Sequence, residues 1–290
     1  TSYSCIMSTL RFILVLLVLS ISSCSNETYE EDGNQDINGS DPLDYFPNTV
    51  SDYWIYDVES TSSDTPTMNF TGSDSLYIAA STATSFSYEA NNGGVALGSM
   101  NTLLVNGSLS KTTTSLKFTG SLDLPVDISL TQSPEITELT IIDLDASNGE
   151  VLSNLSDNLS ETIDIQGTAI PIEINYSLTT EKENFYNSTS LNGTTYSNVY
   201  EATLKLNISV TGSLTLFGTS QSINIIQPQD VLTMRYFYVG GIGLVRAETT
   251  QMFQLSDEFI LLIQQLDSTG SITASSTAMG VEELNRFMIN

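Results

Sequence analysis

Any chemistry in this chain has to be done without histidine. The 290 residues contain no His, two Cys, eight Lys plus Arg and 34 Asp plus Glu, which excludes every triad, zinc site or proton shuttle built on imidazole. A few local patterns nonetheless have residue types and spacing that could carry a reaction or a ligand. Ser108-Leu109-Ser110-Lys111 sets a hydroxyl three residues before an amine, the spacing at which a helical turn brings lysine to a serine nucleophile. Leu103 to Lys117 alternates apolar and polar residues instead, which predicts a strand with Ser108 and Lys111 on opposite faces. Neither a Ser-Asp-Asn nor a Lys-Thr-Gly partner motif exists, so no catalytic residue is assigned. Asp143, Asp145, Ser147 and Gly149 bring oxygen ligands close together, as calcium needs, but Asn148 and Asn154 stand where that ion's loop requires Gly and a bidentate Glu. A hairpin turn explains these residues more simply, leaving Asp143 and Asp145 as metal-ligand candidates and calcium as the one cofactor they suggest. Trp54 and Tyr56 could stack on a sugar ring or lie in a core. Gly240-Gly241-Ile242-Gly243 lacks the spacing and following helix of a dinucleotide loop and reads as a turn. No Asp or Glu pair stands out as set for glycoside hydrolysis.

The N-terminus carries the most specific signal. Arg11 is followed by the apolar run Phe12 to Ile21 and the small residues Ser22 and Ser23, the order of a secretion signal. Residues 1–23 are that signal, with 1–6 as upstream read-through before Met7. The run is too short to span a bilayer, which takes about 20 residues as a helix. Ile21-Ser22-Ser23-Cys24 resembles the lipobox of bacterial lipoproteins. That resemblance implies that Cys24 is lipidated and becomes the first residue of the mature chain, held on a membrane by its acyl chains without crossing it. Cleavage removes Cys5 and Arg11, so no disulfide is available and seven cations face 34 acids. The folded part holds together by packing alone, and its acidity opposes binding to nucleic acid or anionic headgroups. After Cys24, residues 25–42 hold Glu27, Glu30, Glu31, Asp32, Asp36 and Asp41 among Asn, Gly and Ser, a composition that reads as a flexible acidic tether.

From residue 43 to 290 the chain reads as a single β-rich domain. Leu122, Leu124, Val126, Ile128 and Leu130 recur with period two, as do Ile170, Ile172, Ile174, Tyr176 and Leu178, and Leu204, Leu206, Ile208 and Val210. Such runs are half-buried strands, and the Ser, Thr and Asn between them suit the wet face of an antiparallel sheet. Turns are marked at Asn91 to Gly94, Asn106-Gly107, Asn148-Gly149, Asn192-Gly193 and Gly240-Gly241. The expected fold is all-β, a large twisted antiparallel sheet curled into a half-barrel or sandwich, with a short C-terminal helix at Ala278 to Met288. Ser153 to Leu159 could form one helical turn, but its Asn-Leu-Ser repeat is too polar and short to require it. Asp257 to Leu266, with Ser256 as N-cap, fits a helix or a buried strand.

Tyr45-Phe46-Pro47 with Trp54-Ile55-Tyr56, Tyr196-Ser197-Asn198-Val199-Tyr200, and Tyr236 to Val245 together resemble uncharacterised Bacteroidota-type β-rich outer-membrane lipoproteins. The resemblance implies an outer membrane lipoprotein of a Gram-negative bacterium, at the cell surface or facing the periplasm, and brings no activity with it. Asp74-Ser75-Leu76 and Asp267-Ser268-Thr269 resemble the short O-glycosylation motif of such bacteria, with Ser75 and Ser268 as acceptors. Three functions fit. The first is a non-catalytic binding, adhesion or structural role at the envelope, with an envelope protein or glycan as partner. The second is a carrier of a lipid or other hydrophobic ligand in a half-barrel cavity, and the third a glycan-binding or glycan-degrading accessory. They predict different contents for the concave face: packed side chains, an empty apolar cavity, or aromatics beside paired carboxylates.

Overall fold

The computed structural model describes residues 45–62, 69–122, 124, 133–165, 168–216, 219–266 and 273–290. All of these lie in the second of two compact units, Gly39–Asn290; Cys24 and Ser268 fall outside the described residues. The alternating runs Ile170 to Leu178 and Leu204 to Val210 become strands as expected, whereas in the run Leu122 to Leu130 the residues Leu122 and Leu124 lie beyond the end of a strand at Ser121 and Val126, Ile128 and Leu130 fall outside the described residues. The strands are β1 (Tyr53–Ser62), β2 (Phe70–Ser81), β3 (Ser85–Ala90), β4 (Gly107–Lys111), β5 (Ser115–Ser121), β6 (Glu135–Asp143), β7 (Glu150–Ile165), β8 (Thr168–Leu191), β9 (Thr194–Leu216), β10 (Thr219–Val239), β11 (Gly243–Gln254) and β12 (Ser275–Met288). Along β8, Ile170, Ile172, Ile174 and Leu178 are all buried while Asn175 and Ser177 are not, because successive strand side chains point to opposite faces.

All twelve strands form one antiparallel sheet in the order β6-β5-β4-β3-β2-β1-β12-β11-β10-β9-β8-β7, nearly closed into a barrel. Each half is a meander of neighbouring hairpins, and the two halves are zipped where the first strand meets the last. Turn chemistry fixes the hairpins: Asn192 and Gly193 join β8 to β9 with φ of 45° and 84°, the left-handed pair that a two-residue hairpin requires.

Two helices pack against the buried face of the sheet. Helix α1 (Ser99–Val105) places Met100, Leu103 and Leu104 at 1% exposure or less against β3, β4 and β11. Helix α2 (Asp257–Leu266) turns Phe259 and Ile263 to the core and leaves Leu261 outside. Ser256 resolves the ambiguity at α2: its Oγ accepts the Phe259 N–H at 3.1 Å, and Asp257 and Glu258 in the first turn suit the helix dipole.

Three local readings are corrected. Ala278 to Met288 belongs to β12, whose main chain pairs with β1 on one side and β11 on the other; two ladders outweigh a weak helical preference. The short helices of this all-β fold are α1 and α2, and the C-terminal segment is not one. Ser153 to Leu159 is part of β7, with Leu155 opposite Leu178 and Leu159 opposite Ile174, since residues four apart share a strand face as readily as a helical one. The strand expected from Leu103 starts only at Gly107, because Leu103 and Leu104 are adjacent and both buried, which suits a helix and not an alternating strand.

Candidate functional site

The structure scatters the residues singled out in the sequence. Ser108 is exposed on β4, while the Lys111 ammonium donates to the Phe46 carbonyl and to Asn48 Oδ1, each at 2.7 Å. Strand geometry keeps the two apart, as expected. Asp143 and Asp145 sit at the β6–β7 turn, where Asp143 Oδ1 accepts the Asp145 N–H at 3.0 Å. A cation does reach that turn, but it belongs to the protein. Lys182 Nζ donates to the carbonyls of Leu144 at 3.2 Å and Ala146 at 2.5 Å; burial lowers its pKa and the nearby Asp143, Glu150 and Asp145 oppose that. Among the described residues no group of three His, Cys, Asp or Glu is placed to hold a metal ion.

Trp54 and Tyr56 are each 1% exposed, so neither offers a ring face to a sugar. They are clamps. From β1 they reach past β12, Trp54 Nε1 donating to the Ile242 carbonyl at 2.6 Å and Tyr56 Oη to the Leu244 carbonyl at 2.9 Å. Ser75 is half-buried and its hydroxyl lies 3.3 Å from Asn91 Oδ1, which also accepts the Ser75 N–H.

What the structure does bring together is a pair of buried carboxylates around the start of α1. Gly98, the N-cap residue of that helix, has no side chain to cap it, so the first amides need partners from elsewhere. Glu282 of β12 provides them: Oε1 accepts the Met100 N–H at 2.7 Å and Oε2 the Asn101 N–H at 2.9 Å. Its carboxylate lies so close to Gly98 that a Cβ there would stand 2.2 Å from Oε2. Asp74 of β2, fully buried, accepts the Leu97 and Gly98 amides at 2.9 Å and the Asn101 side-chain amide at 3.1 Å. Burial pushes the Glu282 pKa up to about 7, with the Asp74 charge adding to the rise and the main-chain amides working against it.

Beside Glu282 lies a cavity of about 160 Å³. Val58, Phe70 and Leu97 give it apolar walls, and Ser60, Thr249 and Gln251 polar ones. It sits toward the end of the barrel where β1 stops at Ser62 and β2 starts at Phe70, away from the end where Tyr45 bonds the Asn198 carbonyl. Thr249 is 4% exposed and its Oγ1 has no hydrogen-bond partner; Asn101 Oδ1 is the other buried side-chain atom in that condition among the described residues.

Sequence reasoning missed both carboxylates. Asp74 was visible only within an O-glycosylation motif, and Glu282 only as the acidic start of an expected helix. The signal was there for Asp74, which falls in phase with Leu76 and Ile78 on the inward face of β2.

On the convex face a second ionic feature crosses five strands. Glu283 of β12 bonds Arg246 of β11, which bonds Glu248 at 2.8 Å; Arg235 of β10 bonds Glu201 of β9, and Tyr186 of β8 donates to Glu201 at 2.6 Å. Arg235 Nη1, 3.6 Å from Glu248, joins the two halves. Most of these groups are partly exposed, where ion pairs contribute little, and the arrangement leaves each arginine neutralised. Comparison with known protein families, curated proteins and solved structures finds no match to this chain.

Proposed function

We propose that this chain is a lipid-anchored, non-catalytic binding or structural protein of the cell envelope, attached through Cys24. The observation that carries the non-catalytic reading is the interior around α1: the two carboxylates buried there, Asp74 and Glu282, are occupied in capping that helix, and apolar side chains pack about them. A general acid or base has to meet the reacting group within hydrogen-bond reach, and Glu282, 2% exposed, is fixed in place by the main-chain amides it caps. The cavity of about 160 Å³ beside Glu282 is comparable to one that holds benzene, so that site suits a small ligand better than a lipid.

Feeding an alkyne palmitate analogue to cells that make the full chain tests the anchor. Wild type is expected to take up label and fractionate with membranes, and Cys24→Ala to lose both; equal labelling of the two overturns the anchor. Screening the purified full chain against glycosidic, ester and peptide substrates tests the rest. Turnover abolished by Glu282→Gln or Ser108→Ala overturns the non-catalytic reading.

A further inference from the structure

We infer that the cavity beside Glu282 binds a primary alkylammonium group, either a small free amine or the side chain of a lysine on a partner. The inference rests on the binding reading above and names the ligand chemistry of that site. Its first support is Thr249. Buried polar atoms in folded proteins are almost always satisfied, yet this hydroxyl, on a residue 4% exposed, lines the cavity with no partner. A ligand donor or acceptor entering the cavity removes that deficit.

The second support is charge. Glu282 is among the lining residues and no Lys or Arg is, so an anion is repelled. Glu282 takes the Met100 and Asn101 amides at 2.7 and 2.9 Å and a further bond from the Ser99 main chain, out of about four acceptor positions on a carboxylate. Capacity for an N–H of a cation therefore remains, and the net charge of −26 on the whole chain favours cation entry.

Shape is the third support. Phe70 and Leu97 are 38% and 47% exposed although large and apolar, and with Val58 they form a greasy wall beside a polar one. A short alkyl stem covers the first and an ammonium head meets the second. The volume of about 160 Å³ suits a ligand of benzene size, as n-butylammonium or the end of a lysine side chain is. Space is kept open by Gly280, which stands between Ser60 and Thr249 in the sheet. A Cβ there meets nothing nearer than 3.7 Å, so Gly280→Ala fits the sheet and narrows the cavity.

The test is a titration of the detergent-solubilised full chain with n-butylamine hydrochloride at pH 8, followed by the amide shifts of Thr249 and Gly280. Saturable shifts are expected with n-butylammonium and not with n-butanol, its neutral analogue. Glu282→Gln should weaken binding by about tenfold or more, as for loss of a hydrogen bond to a charged group. Because that variant also touches α1, Thr249→Val and Gly280→Ala carry the test on a native helix cap, each expected to lower affinity about three- to tenfold. At pH 5.5 the raised pKa of Glu282 leaves it protonated, and affinity should fall about thirtyfold from its pH 8 value. The ionisable groups facing it are Asp74 from β2 and the Tyr56 phenol from β1. Binding of Nα-acetyl-lysine methylamide as well as butylamine identifies a lysyl side chain as an acceptable source, and binding of butylamine alone identifies a free amine. Absence of saturable shifts, equal response to butanol, or affinity unchanged in both Thr249→Val and Gly280→Ala overturns the site and leaves the non-catalytic reading standing. Consumption of the amine during the titration does the reverse.

Discussion

Where β1 meets β12, ten residue pairs from Tyr53 with Met288 to Ser62 with Ala278 join main chain to main chain, whereas β6 at the other margin is held by side-chain hydroxyls. Tyr236 Oη donates to the Ile141 carbonyl at 2.7 Å, Thr180 Oγ1 to the Thr140 carbonyl at 2.6 Å, and the Asp143 N–H donates to Tyr200 Oη at 3.1 Å. Ser153 Oγ takes the Thr140 N–H at 2.9 Å. The strands most distant in sequence are thus zipped by a ladder, and consecutive β6 and β7, at opposite ends of the sheet order, are not neighbours in it. Both seams meet the same requirement, that buried amides and carbonyls be paired. The difference teaches that a sheet edge can be closed by hydroxyls projecting from strands it crosses, at the cost of making the seam depend on individual side chains.

The largest effect should come from the ladder seam's clamp. Trp54→Ala removes the largest buried side chain on β1 together with its bond to Ile242, and should cost about 3–5 kcal/mol in urea unfolding. A loss below about 1 kcal/mol means that the ladder alone holds that seam.

Acidity should separate the two seams next. Glu282 lies on β12 opposite Val58 in the ladder seam, and its folded pKa of about 7 stands above the ordinary 4.5. A raised folded pKa gives a contribution that is fully present below about pH 4.5 and is lost as pH rises through about 7, worth about 3 kcal/mol across the window. Glu282→Gln should therefore flatten the stability profile between those values. The hydroxyl seam has no such dependence, because burial pushes the Tyr200 and Tyr236 phenols upward and keeps them protonated throughout. An unchanged profile in the variant assigns the pH dependence to other acids.

Single hydroxyls of the β6 seam come after that. Tyr236→Phe leaves the Ile141 carbonyl without its partner inside the barrel and should cost about 1–3 kcal/mol. Adding Thr180→Val should give a loss that departs from the sum of the two, since both act on adjacent carbonyls of one strand. Hydrogen exchange offers a sharper readout: β6 amides should speed up in Tyr236→Phe while β1 and β12 amides hold. Uniform acceleration across the sheet means that the seams open together. Ser108→Ala, at an exposed position on β4, sets the lower end with a change within about 0.5 kcal/mol.

The sequence alone determined the all-β class, the buried faces of β8 and β9 and the Asn192-Gly193 hairpin turn, because alternation and left-handed turn residues are local properties. It also limited the chemistry, since a chain with no His has few catalytic constellations open to it. Only the tertiary structure decided what lay between. It made β12 a strand by placing β1 and β11 on either side, turned Lys182 into the internal cation of the β6–β7 turn, and made Glu282 and Asp74 caps for a helix that begins at a glycine. The physical reason is the same in each case. Side-chain direction is set by the residue's own backbone, but the partner of a buried polar group is set by whichever distant segment the fold brings within about 3 Å.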